Sequence, residues 1–408
     1  MSVKAQNNDI QKLYDNRDYI QLSHLDIENW DINQLPSPLL RAYVYSAMAC
    51  YEKSNNEIAF ILASDSITKD PDLMVEILNL QAVNYFKTYQ YKQAAGSYKK
   101  LLDDYDSLLD EEITSIQNMY RLYDALSTVK PLQAEILRDT KISIKPDKKG
   151  FPLVLVHTPE DSVSLVFDTG ASFSCVTKSV AKRLGISILT DSLMGGGATG
   201  NMEFASIGVA DTMYLGDILY ENVVFLVLED EKLTFPEHDY TVNGTLGFPE
   251  MKILPAMKIH KNGMLEISKN DDKHKNNMMF SEDNQIIVQV NDSLLFWLDT
   301  GAARTNLFVN YYNKNKEQID KEGEFTKKVI NGMGGSKEFP LYMLKKFPIK
   351  INMTVTVLPK ISVFVEQTLG WAFEYDGSLG QDVISQYDYM LLDFENMYFS
   401  LENAGQSK

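Results

Sequence analysis

Two aspartates carry the strongest chemical signal in this 408-residue chain. Asp168 and Asp299 each open an Asp-Thr-Gly tripeptide, and each follows an apolar run, Leu165-Val166-Phe167 in one case and Leu295-Phe296-Trp297-Leu298 in the other. Ordinary residue frequencies give roughly 0.1 chance copies of such a tripeptide in a chain of this length, so two copies in matching surroundings stand above background. An apolar strand ending in Asp-Thr-Gly puts its carboxyl on a turn, where glycine supplies backbone angles closed to other residues. The threonine hydroxyl can then lock the loop. Two such loops meeting would hold their carboxyls about 3 Å apart, where both cannot ionise and one proton is shared. The ionised acid can activate a water for attack on an amide carbonyl, and the protonated acid can donate to the oxyanion or leaving group. This chemistry calls for no metal, no cofactor and no covalent intermediate.

The surroundings repeat as well. The first acids differ by 299 − 168 = 131 positions; Met194-Gly195-Gly196 is echoed by Met333-Gly334-Gly335 at an offset of 139, and Gly244-Thr245-Leu246-Gly247 by Gly377-Ser378-Leu379-Gly380 at 133. The order is acid, glycine-rich turn, leucine-glycine in both halves, which marks an internal duplication.

In this arrangement residues 150 to 403 resemble the bilobal aspartic peptidases of the pepsin and retropepsin group. The resemblance implies that Asp168 and Asp299 are the catalytic dyad, in active-site loops Thr169-Gly170-Ala171 and Thr300-Gly301-Ala302, with the threonines gripping one lobe to the other. It implies that Leu246-Gly247 and Leu379-Gly380 are the supporting strands that cross those loops, and that the tail Ser378 to Asp388 is the closing strand and helix. Asp168 to Ser172, Val176 and Ala181-Lys182-Arg183-Leu184-Gly185 are similar to the bacterial retropepsin-like branch. The two Met-Gly-Gly segments fall where substrate-covering flaps belong, although neither the flap tyrosine of pepsins nor any other Tyr lies between Gly195 and Phe204. Ala171 and Ala302 stand where pepsins often carry a hydroxyl that stabilises the ionised acid, so the dyad should titrate higher and work best at mildly acid to neutral pH.

Other chemistries find less support. His24, His157, His238, His260 and His274 are scattered without metal-ligand spacing. Ser172 and Ser174 lie near the first loop, but no Gly-x-Ser-x-Gly elbow is present. Trp297 and Trp371 read as core or pocket wall, and Arg304 as a surface ion pair or as a source of asymmetry in the groove. Cys50 and Cys175 are far apart in sequence and give no disulfide framework.

The elements that must position the dyad follow from texture. Residues from about 8 to 130 are poor in Gly and Pro, with apolar positions at helical spacing such as Leu78, Ala82, Tyr85 and Phe86. Ala47, Ala59 and Ala63 are echoed 35 positions on by Ala82, Ala94 and Tyr98; this resembles a tetratricopeptide pattern, with a plain helical bundle as the alternative. From Phe151 short β-rich runs take over, at Leu153 to His157, Ser162 to Phe167, Val223 to Leu228, Ile286 to Val290, Ile351 to Leu358 and Met390 to Asp393. Lys145 to Gly150 reads as a turn between strands, and helices are expected at Ser179 to Leu184, stopped by Gly185, and at Asn310 to Glu322. The expected fold class is therefore multidomain, α plus all-β: a helical domain over 1–135, a first protease lobe over 140–270, a polar linker over 271–278 and a second lobe over 279–408, the lobes forming a pseudo-twofold β-barrel pair.

A net charge of −17 and a pI near 4.8 argue against nucleic acid as a partner, because a phosphate backbone calls for a concentrated basic face. No run approaches 18 apolar residues, so no membrane span is expected. Val3-Lys4-Ala5 has signal-peptidase spacing with no apolar segment ahead of it, which leaves exported and cytoplasmic locations both open. The expected function is an aspartic endopeptidase acting on unfolded or loop polypeptide, with the helical domain either recruiting a protein partner or substrate or covering the cleft as a regulatory domain. The alternative is a catalytically silent peptide-binding protein that uses the same cleft.

Overall fold

The computed structural model describes residues 3–27, 37–63, 70–104, 110–138, 140–196, 202–235, 239–270, 272–332, 335–366 and 375–404. Contacts divide the chain into two compact units, Met1–Pro131 with Met279–Asn284, and Leu132–Met278 with Gln285–Lys408.

The first unit is built from helices Val3–Asp15, Tyr19–Ser23, Ser37–Ala47, Tyr51–Leu62, Pro71–Lys87, Tyr91–Asp104 and Asp110–Leu126. The helix Pro71–Lys87 shows why they form. The Asp70 side chain accepts the Leu73 N–H at 3.2 Å, Pro71 sits in the first turn, and Met74, Ile77, Leu78 and Ala82 are buried at helical spacing. Its buried face joins Ala94, Ala95, Tyr98, Leu101 and Tyr123 in one core. A buried polar chain links three helices: Asn84 Nδ2 donates to Ser54 Oγ at 2.8 Å, and Ser54 Oγ donates to the Ala42 carbonyl at 2.7 Å. The turns after helices rest on Arg17, Ala49 and Tyr89, all with positive φ. Their spacings are 49 − 17 = 32 and 89 − 49 = 40, so the 35-residue echo read from the alanines does not track the helix-to-helix turns.

The second unit is β-rich. One nine-stranded sheet runs Gln133–Ile136, Ile218–Leu228, Ser174–Thr177, Gly244–Leu246, Ser162–Phe167, Pro152–His157, Met202–Leu215, Ser187–Gly196, with Lys145–Pro146 paired to Pro152–His157. Another carries, in order, Ile286–Val290, Leu294–Leu298, Gly377–Leu379, Asn306–Leu307, Thr354–Phe364, Gly335–Ile351 and Glu324–Gly332. A five-stranded sheet joins the halves, because Ala256–His260 pairs antiparallel with Tyr389–Asp393. Apolar side chains such as Leu165, Phe167, Phe225, Val288, Phe296 and Leu298 are buried along these strands; Ile286–Val290 and Leu294–Leu298 are buried on both faces, whereas Pro152–His157 alternates, with Val154 buried and Leu155 exposed.

Several local expectations hold. Ser162–Phe167 and Ile286–Val290 are strands over the expected residues, and Lys145 to Gly150 turns as expected, with Gly150 at φ +90° and Asp147 N–H donating to the Phe151 carbonyl at 3.0 Å. The helix Lys178–Arg183 starts on the Thr177 hydroxyl and stops at Gly185, φ +66°. Two do not hold. The run Ile351 to Leu358 spans two strands rather than one, because Asn352 takes φ +53° and turns the chain between Gly335–Ile351 and Thr354–Phe364. The stretch Asn310 to Glu322 is two helices, Val309–Lys314 and Lys316–Glu322, meeting at Asn315. Asp272 to Asn277 carries neither helix nor strand. Met333, Gly334, Trp371, His238, Asp139 and Asp271 lie outside the described residues.

Candidate active site

Asp168 follows the strand Ser162–Phe167, and Asp299 follows Leu294–Leu298. Each of these strands pairs in parallel with the leucine-glycine strand of its own half, Phe167 opposite Leu246 and Leu298 opposite Leu379. The ladder continues into the loops, where Asp168 N–H donates to the Leu246 carbonyl and Asp299 N–H to the Leu379 carbonyl, both at 3.0 Å. Each acid is thereby fixed by its backbone at the end of a buried two-strand pair.

The threonines then cross. Thr169 N–H donates to Thr300 Oγ1 at 3.0 Å, and Thr300 N–H donates to Thr169 Oγ1 at 3.1 Å. Their hydroxyls donate onward to the opposite strand, Thr169 Oγ1 to the Leu298 carbonyl at 2.9 Å and Thr300 Oγ1 to the Phe167 carbonyl at 3.1 Å. Thr169 is fully buried and Thr300 nearly so, leaving no water to compete for these bonds.

The grip brings the acids together, each carboxyl lying against the glycine of the opposite loop. Gly170 N–H donates to Asp168 Oδ1 at 2.8 Å, and Ala302 N–H to Asp299 Oδ1 at 2.9 Å. The loops leave no room for side chains at their glycines: a Cβ on Gly170 would lie 2.8 Å from the Asp299 carboxyl carbon, and one on Gly301 would lie 2.7 Å from that of Asp168. Burial pushes both carboxyls above the ordinary aspartate range. For Asp299 the rise is large, from burial and then from the charge of Asp168, so the pair holds a single proton between them.

Of the two Met-Gly-Gly segments, Met194-Gly195-Gly196 and Gly335 are among the described residues. Met194-Gly195-Gly196 ends the outgoing strand Ser187–Gly196, opposite Phe204, Glu203 and Met202 on the return. In the other half the outgoing strand ends at Gly332, opposite Gly335, which opens the return strand Gly335–Ile351. Trp297 is buried, with its ring at 3.0 Å from where a Gly170 Cβ would stand. Arg304 is largely exposed, with Nη1 4.0 Å from Asp382 Oδ2. Cys50 and Cys175 are free thiols, and among the described residues no group of three or more His, Cys, Asp or Glu could hold a metal ion. Among the described residues no helix is long and apolar enough to cross a membrane. A cavity of about 350 Å³ touches Phe167, Thr300 and Gln381 but neither acid, so it is separate from the dyad.

Motif reading gave no bracing role to four residues that support the loops. Ser174 Oγ accepts the Gly247 N–H at 2.8 Å and donates to Glu250 Oε2 at 2.5 Å. Thr305 Oγ1 accepts the Gly380 N–H at 3.0 Å and donates to Asp382 Oδ1 at 2.7 Å. A signal was available, because 305 − 174 = 131 is the same offset as that of the two aspartates.

Residues 158–249 match the family model for aspartyl protease. One solved structure similar to this chain is a retropepsin-like aspartic protease from Rickettsia conorii, at 17% identity and a TM-score of 0.24, covering 34% of this chain and 94% of that one. No curated protein matches the chain.

Proposed function

We propose that the β unit is an aspartic endopeptidase in which Asp168 and Asp299 hydrolyse peptide bonds through a water held between them. The observation that carries this reading is the reciprocal bonding of Thr169 and Thr300, which sets two part-buried carboxyls each against the opposite loop. The ionised member of the pair is the base that takes a proton from the water, and the protonated member is the acid that donates to the carbonyl oxygen as the tetrahedral intermediate forms. The base then gives the proton it took from water to the leaving amine as the C–N bond breaks, and the other carboxyl recovers its proton from the collapsing gem-diol.

In this reading residues 140–270 and 279–408 are two lobes related by a pseudo-twofold axis, joined through 271–278 and preceded by a helical domain over 1–135. The recurrence of parallel pairing, crossing threonines and leucine-glycine support in both halves favours it. The hairpins carrying Met194-Gly195-Gly196 and Met333-Gly334-Gly335 are the flaps over an extended polypeptide, which would bind by main-chain hydrogen bonds. Incubating an unstructured protein with wild type, Asp168→Asn and Asp299→Asn tests the proposal. Cleavage by wild type alone supports it. Peptide retained without cleavage at any pH contradicts it and fits a binding protein instead.

A further inference from the structure

We infer that Ser174 with Glu250, and Thr305 with Asp382, are positioning residues for the dyad, each pair setting one catalytic aspartate through a single peptide group. This rests on the peptidase reading above. The Leu246–Gly247 peptide faces two ways: its carbonyl accepts the Asp168 N–H at 3.0 Å, and its N–H donates to Ser174 Oγ at 2.8 Å. The Leu379–Gly380 peptide does the same between Asp299, at 3.0 Å, and Thr305 Oγ1, also at 3.0 Å. Beyond each hydroxyl stands an acid, Glu250 in Phe248–Lys252 and Asp382 in Gln381–Ile384, the short helix that follows each glycine.

A run of aligned hydrogen bonds therefore leads from acid to hydroxyl to peptide to catalytic aspartate in each half. Each bond in such a run polarises the next, so a change at the far acid is felt at the catalytic backbone. Neither glycine can be replaced without moving the run, since a Cβ on Gly247 would lie 2.7 Å from the Ala171 carbonyl oxygen, and one on Gly380 would lie 2.7 Å from the Arg304 carbonyl carbon. All eight groups lie in the β unit, and Ser174, Glu250 and Thr305 are buried.

The two runs are not equal. Asp382 Oδ1 also accepts the Thr305 N–H at 2.8 Å, and its Oδ2 faces Arg304 Nη1 at 4.0 Å. Glu250 is sealed: the Ser174 hydroxyl binds its carboxyl, the Tyr220 hydroxyl goes to its backbone carbonyl at 3.0 Å, and Lys252 supplies the charge that acts on it. The first half is thus held by a fully buried acid and the second by a part-buried one.

The test is the carboxyl titration of the dyad, followed by NMR with ¹³C-labelled aspartate in the full chain and assigned with Asp168→Asn, alongside kcat and KM. Ser174→Ala and Thr305→Val should each move an apparent dyad pKa by about half a unit or more and lower kcat at least about tenfold, with KM within about twofold. Ser174→Thr and Thr305→Ser, which keep the hydroxyl, should restore both. If the truncations do not fold, Glu250→Asp, one methylene short of Ser174, carries the test and should displace the titration. Dyad titrations identical to wild type in the folded variants, or in Glu250→Asp where the truncations do not fold, overturn the inference. The titration is read without turnover, so an inactive wild type would sink the peptidase reading and leave this result standing separately.

Discussion

Thr169 and Thr300 exchange backbone-to-hydroxyl hydrogen bonds at 3.0 and 3.1 Å although 131 positions separate them in sequence. Each hydroxyl both accepts from the opposite N–H and donates to the opposite strand, so removing one leaves two buried partners unsatisfied. Thr169→Val and Thr300→Val should each cost about 2–4 kcal/mol in urea unfolding, on the scale of orphaned buried polar groups. Thr→Ser at either position should recover most of that loss. A Val variant as stable as wild type would mean the crossing does not hold the halves.

The pH profile follows from burial of the pair. Below the lower apparent pKa both acids are protonated and no base remains; above the upper one both are ionised and no acid remains. Burial raises both carboxyls, Asp299 well above the ordinary range, so both limbs of the profile move upward. Ala171 and Ala302 supply no side-chain hydroxyl to oppose the rise. Peptide cleavage measured from about pH 2 to 8 should peak in the mildly acid to neutral range, and a maximum below about pH 3.5 would contradict this.

Glu250 makes stability depend on pH in the opposite sense to a surface carboxylate. Burial pushes it from 4.5 up to about 7. A carboxyl that binds its proton more tightly when folded stabilises the fold at low pH, and that contribution declines as pH rises from the unfolded value of 4.5 through the folded value of about 7. At 1.36 kcal/mol per unit the decline amounts to about 3 kcal/mol. Glu250→Gln should remove it, so that wild type and variant diverge in unfolding free energy across this window, with the variant gaining as pH rises. Parallel curves would place Glu250 in contact with water.

Gly247 and Gly380 test the tightness of the loops. A methyl on Gly247 would meet backbone of Ala171 and Phe173 at 2.7 to 2.9 Å, and one on Gly380 would meet backbone of Ala302 and Arg304 over the same distances. Backbone cannot step aside as a flexible side chain can, so either Gly→Ala change should cost about 2 kcal/mol or more and reduce cleavage with it. A thermal midpoint unchanged by Gly247→Ala would show the loop to be looser than described.

The chemistry of this chain was legible where it is written in short motifs. Two Asp-Thr-Gly loops and two leucine-glycine strands are local patterns, and the offset between them stayed near 131, so their partnership could be read before any coordinates. The strand Ser162–Phe167 and the stop at Gly185 were likewise local, one from alternation and β-branching and the other from a left-handed glycine. Less legible was what depends on a conformation unusual for its residue type. Asn352 turns between two long strands in a stretch that reads as continuously β-rich, and Ala49 and Tyr89 take positive φ where glycine would have announced a turn. Glu250 was hidden for another reason: its hydroxyl partner lies 76 positions away, and a lone glutamate after a proline looks like the polar start of a helix.

The most direct measurement is kcat/KM for wild type, Asp168→Asn, Asp299→Asn and the double variant on one unstructured peptide, with folding checked by circular dichroism. Two acids sharing one proton act as a unit, so each single change should cost at least about a thousandfold and the double change little more than either. A single variant that keeps more than about a tenth of wild-type activity, or losses that multiply in the double variant, would contradict a shared-proton dyad.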